Sequence, residues 1–229
     1  MRGLQDKRGA GIKFLGIYDH SICETSKTPR EGFVLVETKD RENVTHIKYC
    51  HFYDRVEALI TKIEWSEREW HGKVFRSWRL SLDAAGVPCV LELPVKSRVT
   101  NRFLKLAENI DFLRPVEFAA WQDRQTGNTA FMVGQRENED DEKAVSVPQK
   151  YTRENPGDCP EPKQRMGGKE WDWNDQEDFL YNLMTTVIIP RVEAAQGAKE
   201  MKAEIDGDPA DSPERDAEYP YPDDGTADF

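Results

Sequence analysis

The stretch that decides the fold begins with three runs, VEALITKIEW (56–65), VFRSWRLSL (74–82) and VPCVLEL (87–93). In the first, Leu59, Ile63 and Trp65 alternate with Ala58, Ile60 and Lys62, apolar enough on both sides for a central strand. The second sets Trp78, Leu80 and Leu82 against Phe75, Ser77, Arg79 and Ser81, a clean period of two. Between them Ser66 to Lys73, polar and containing Trp70 and Gly72, predicts a hairpin loop. Asp83-Ala84-Ala85-Gly86 predicts the next turn, and Pro94 stops the third run. Val99, Phe103, Leu106 and Ile110 then recur at helical spacing, with Ser97 or Thr100 available as a cap. Arg98, Arg102 and Lys105 form a basic stripe beside that apolar one and read as a solvated face. Beyond Pro115, Val116 to Trp121 leads through a loop, Asp123 to Asn128, into Thr129 to Gly134, two further strands.

Three strands, one helix and two strands predict a β-dominated fold with minor α content. The expected architecture is a five-stranded oligonucleotide-binding (OB) barrel over 55–136 with the helix plugging one end, although other small β-rich domains share this order. Upstream, Ile12 to Tyr18, Phe33 to Val36 and Thr45 to Tyr53 are strand-like and separated by turn compositions, so 1–54 is expected to be a small antiparallel extension beside the barrel. Its His20, Cys23, His46, Cys50 and His51 match no ordinary zinc spacing, and no metal or other cofactor is expected. Downstream, 137–169 is acidic and then rich in Pro, Gly and basic residues, which predicts a linker or long loop. Within 170–197 a helix is expected from Trp173 to Ile189, with Phe179, Leu180, Leu183, Met184, Val187 and Ile188 on one side and Pro190 limiting it. That stripe must close on the barrel or form a homodimer.

The remaining segment, 198–229, is expected to be a disordered acidic tail. From Ala203 onward there are ten acidic residues against Arg215 alone, so most of the chain's net charge of −11 lies there and the body is nearly neutral. The final residues, Asp223-Asp224-Gly225-Thr226-Ala227-Asp228-Phe229, resemble the tails of bacterial and phage single-stranded DNA-binding proteins, in which acidic residues lead into a terminal Phe. The bacterial form ends Ile-Pro-Phe; Ala227-Asp228-Phe229 is closer to the phage variety. The resemblance implies a protein of DNA replication, recombination and repair whose tail, through Asp223, Asp224, Asp228 and Phe229, recruits partners such as polymerase or helicase-primase. It implies a cytoplasmic location, that of an infected bacterial cell if phage-encoded.

Chemistry-bearing motifs are few. No phosphate loop, nucleophile motif or metal-spaced carboxylate pair is present, and only Glu57, Glu64, Glu92 and Glu117 sit on predicted barrel strands, so no enzyme is expected. No apolar run approaches the roughly 20 residues needed to cross a bilayer, and the basic start is not followed by a signal core, so a soluble protein without a membrane partner is expected. The four scattered cysteines predict free thiols. What the sequence does offer is aromatics interleaved with cations: Trp65, Trp70, Lys73, Phe75, Arg76 and Arg79 around the first hairpin, Trp121 and Arg124 beside the second loop. Bases stack on flat side chains at about 1–3 kcal/mol each while Lys and Arg neutralise phosphates, so these residues form the expected DNA-binding set. Trp78, aligned with Leu80 and Leu82, reads as core. The expected activity is sequence-independent binding of single-stranded DNA; RNA is not distinguished, and an acidic adaptor or nucleic-acid mimic is the alternative.

Overall fold

The computed structural model describes residues 11–39, 45–70, 72–138, 141–164 and 171–206. The tip of the acidic tail, with Asp223, Asp224, Asp228 and Phe229, lies outside these residues. β1 (Lys13–Tyr18) and β2 (Ser21–Ser26) form a hairpin, and β3 (Val34–Lys39) and β4 (Thr45–Tyr53) form another, joined to it through β2 and β4. β5 (Val56–Trp70), β6 (Lys73–Ala84) and β7 (Val87–Pro94) are an antiparallel meander. After α1 (Arg98–Leu106) come β8 (Val116–Gln122), β9 (Thr129–Gln135) and the short β10 (Val145–Ser146). A second, two-stranded sheet of β11 (Lys163–Gln164) and β12 (Trp171–Asp172) precedes α2 (Asn174–Leu183) and α3 (Ile189–Asp206).

The first ten strands make one mixed sheet in the order β10-β9-β8-β5-β6-β7-β1-β2-β4-β3. The three-strand, helix, two-strand order is present, and β8 lies against β5 as expected, pairing Val56 with Phe118 and Ala58 with Val116. The closed five-stranded barrel is not. Closure would join β9 to β7, but the outer edge of β7 carries β1 in parallel, with Leu15 opposite Leu91. The N-terminal strands therefore continue the main sheet instead of lying beside it. The sheet nonetheless curls: β2 packs near β8, and His20 Nδ1 is 2.8 Å from Thr129 Oγ1.

The inner face holds the core. Trp78, Leu80, Leu91 and Leu93 from the meander meet Phe103 and Leu106 of α1 and the stacked pair Phe118 and Phe131. Ser97, one of the two caps that the sequence offers, caps α1 by accepting from the Thr100 N–H at 3.0 Å. The C-terminal helices close on this sheet: Leu180, Leu183, Met184, Ile188 and Val192 are buried in the same cluster. Their path differs from expectation at Pro190, where the helix continues through Gly197 to Asp206. A π turn over Met184–Ile188 precedes Pro190, and the Ile189 N–H reaches back five residues to the Met184 carbonyl. The wider turn carries the chain past a residue that has no N–H to give.

The expected loop at Ser66 to Lys73 is also different: β5 and β6 run on to Trp70 and Lys73 around a tight turn in which Gly72 has φ +69°. Polar residues on both faces hid this extension from hydrophobic periodicity, but they pair across the strands, Arg76 Nε to Glu67 Oε2 at 2.8 Å. The segment from 141 to 164 is irregular yet anchored, with Val147, Tyr151 and Cys159 buried and the Lys150 N–H on the Lys105 carbonyl.

Candidate nucleic-acid interface

Alternation along β6 sorts its side chains. Trp78, Leu80 and Leu82 point inward, while Phe75, Ser77, Arg79 and Ser81 lie on the outer face. Cross-strand register places Arg68 opposite Phe75, Ser66 opposite Ser77 and Glu64 opposite Arg79. Phe75 is 42% exposed, a large apolar ring presented to solvent beside a cation. The row toward the middle of the sheet is largely neutralised. Glu92 accepts from Ser77 Oγ at 2.7 Å and forms an ion pair with Arg68 Nη2 at 3.3 Å, and Lys62 Nζ lies 2.7 Å from Glu64. Arg79 is half-buried, its Nε without an acceptor among the described residues.

Several expected contact residues are placed elsewhere. Trp65 faces inward and is partly buried against the core, edge-on to Trp78 at 5.0 Å and to Tyr181 of α2 at 5.0 Å, on the face opposite Phe75. Arg76 shares the inward-facing register of Trp78 and is paired to Glu67. Lys73 and Arg124 are exposed at the two turns. Trp70 is placed only as the last residue of β5, its side chain lying outside the described part.

Trp121 is outward and 47% exposed. It does not join the Phe75 group. β8 meets β5 at Val56–Ala58 and runs on beyond that end, whereas the β5–β6 turn is at the other. At roughly 3.3 Å per residue the two aromatic positions are separated by about 40 Å of β5.

Around Trp121 the fold builds an open cleft of about 680 Å³, lined by Asp19, His20, Arg55, Ala119 and Met132 among others. The β1–β2 turn that forms one wall holds Asp19 at φ 47° and His20 at φ 61°, two non-glycine residues in the left-handed region. Such a conformation costs about 1–2 kcal/mol per residue, and the bond to Thr129 helps to hold it. Sequence reasoning missed this cleft. Its one local signal was a two-residue Asp-His turn between apolar runs, and its far wall comes from β8.

The strand carboxylates are engaged by cations: Glu57 by Arg136 and Glu117 by Arg55, both at 2.9 Å, beside the Glu64 and Glu92 pairs. The histidines and cysteines of the N-terminal strands are dispersed in role. His51 Nδ1 contacts the Gly32 carbonyl at 2.7 Å, His20 contacts Thr129, and Cys23 and Cys50 are buried thiols. Among the described residues no cluster of three His, Cys, Asp or Glu is arranged to hold a metal, and no described helix is long and apolar enough to cross a membrane.

No protein-family model, curated protein or solved structure matches the chain. Its function is therefore argued from its own residues.

Proposed function

We propose that this protein binds single-stranded DNA without sequence preference on the outer face of its curved sheet, as phage replication proteins of this kind do. The reading treats β5 to β9 with α1 as an OB-type module whose β7 edge is extended by β1 instead of closed by β9. The observation that carries it is the pair of exposed aromatics on one sheet face, Phe75 beside the turn that carries Lys73 and Trp121 beside the turn that carries Arg124. Flat apolar rings next to cations suit a ligand that is at once a row of base faces and a row of phosphates. Lying at opposite ends of β5, they would be two stations along one bound strand. In this proposal the acidic tail recruits replication or recombination enzymes.

The test is titration with fluorescent oligo-dT, oligo-U and duplex DNA at two salt concentrations. Phe75→Ala and Trp121→Ala are each expected to weaken oligo-dT binding by about 1–3 kcal/mol with an unchanged salt slope, because stacking releases no counterions. Full affinity in both variants would remove the proposed stations. Absence of binding to all three ligands would favour the adaptor.

A further inference from the structure

We infer that the seam between α1 and the open edge of β9 is a phosphate-binding subsite for the same DNA strand that stacks on Trp121. The inference rests on the nucleic-acid reading above and extends it to residues that the sequence marked as a mere solvated face.

Arg98, Arg102 and Lys105 stand at i, i+4 and i+7 on α1, while Val99, Phe103 and Leu106 take the opposite side into the core. The three cations line a cleft of about 240 Å³ together with Thr129 and Gln149. No carboxylate lines this cleft, and none of the three makes an ion pair with a described residue. That separates them from Lys62, Arg68 and Arg76, whose charges are answered on the spot.

Helix stability does not account for the arrangement. Arg98 occupies the first turn of α1, where there is no acidic residue and the helix already presents partial positive charge. A cation there is unfavourable, because the helix end favours an anion. The end is already capped by Ser97. A polyanion laid along α1 would meet Lys105, Arg102, Arg98 and the positive helix end in turn.

The seam exists because the barrel does not close. β10 reaches β9 only at Gly134 and Gln135, and the Val147 N–H bonds to Val133, so among the described residues the edge from Thr129 to Met132 bears no strand. Register then ties the seam to the Trp121 cleft: Trp121 lies opposite Ala130 and Gln122 opposite Thr129. Adjacent strands are about 4.8 Å apart, and β9 alone lies between the strand that carries Trp121 and the edge that faces α1. Successive cations are about 4.5–6 Å apart along the helix axis at 1.5 Å per residue.

The experiment measures oligo-dT affinity of the full chain against salt concentration, for the parent and for Arg98→Gln, Arg102→Gln and Lys105→Gln, singly and combined. Each single change is expected to lower the slope of log K against log salt by about 0.7 and the triple change by about 2, with quenching of Trp121 fluorescence retained. Arg98→Lys with Arg102→Lys should restore the parental slope. Circular dichroism of the triple variant checks its fold; should it unfold, the exposed single changes decide the matter. Parental slopes in folded variants, beside a parent that binds oligo-dT, overturn the subsite alone. A parent that binds no oligo-dT overturns the nucleic-acid reading and the subsite with it.

Discussion

Cys23 and Cys89 show how single residues are governed by surroundings that are invisible locally. Burial is the largest influence on both thiols, pushing Cys23 up to about 12, with Cys50 beside it adding to the rise, and Cys89 up to about 11 despite the opposing effect of Lys13. In the unfolded chain such thiols ionise near 9.0. The folded state thus holds protons that the unfolded state releases, and the sign follows: this stabilisation is fully present below about pH 9 and is lost as pH rises through about 11 to 12. Urea midpoints are expected to stay level from neutral pH to about 9 and to fall above it, less steeply in Cys89→Ala. A thiol reagent at pH 8 should leave all four buried cysteines unmodified until denaturant is added. The tryptophans teach the same lesson: Trp65 and Trp121 were both assigned to DNA, yet one is pinned between Trp78 and Tyr181 and the other is exposed. Their neighbours in the chain do not differ enough to say which.

Among the elements, α1 was legible to its cap because helical periodicity and capping are local. The C-terminal helix was legible only in part. Proline ordinarily ends a helix, but here the π turn precedes it, and Thr185 and Thr186 donate their hydroxyls to the Tyr181 and Asn182 carbonyls at 3.0 and 2.7 Å. Past this turn Met184, Ile188 and Val192 are buried against the sheet. Met184→Ala is therefore expected to lower unfolding free energy by about 2–5 kcal/mol, read from denaturant curves, since Met184 is fully buried at the π turn. A loss below about 1 kcal/mol would show that the helix is only loosely docked. The β5–β6 ribbon was missed for the converse reason: it is held by cross-strand charge pairs, which apolar alternation does not register.

For the molecule as a whole, the α1 cations and the acidic segment carry opposite charge. The segment from Ala203 onward, with Arg215 as its one basic residue, competes in our reading for the same cations as DNA phosphates. Deletion of 223–229 should then tighten oligo-dT binding at low salt, the effect fading as salt screens it, and should abolish capture of partner enzymes. Weaker DNA binding by the truncated chain would contradict the competition. The sheet that carries the surface depends on one non-local decision, the parallel pairing of β1 with β7. It turned an expected five-stranded barrel into a ten-stranded curled sheet and left β9 open beside α1.

Read alone, the amino-acid order was enough for what neighbouring residues decide: the β-dominated class, the three-strand, helix, two-strand order, the cap of α1, and the concentration of acidity beyond Ala203. Those features rest on periodicity, turn chemistry and charge within a few positions. Tertiary structure decided which edge β1 would take, which tryptophan would pack on the core, and that the α1 cations would line a cleft with the open edge of β9. Each of these joins segments far apart in the chain, and the energy that selects among such partners lies in shared burial and register, which no local window contains.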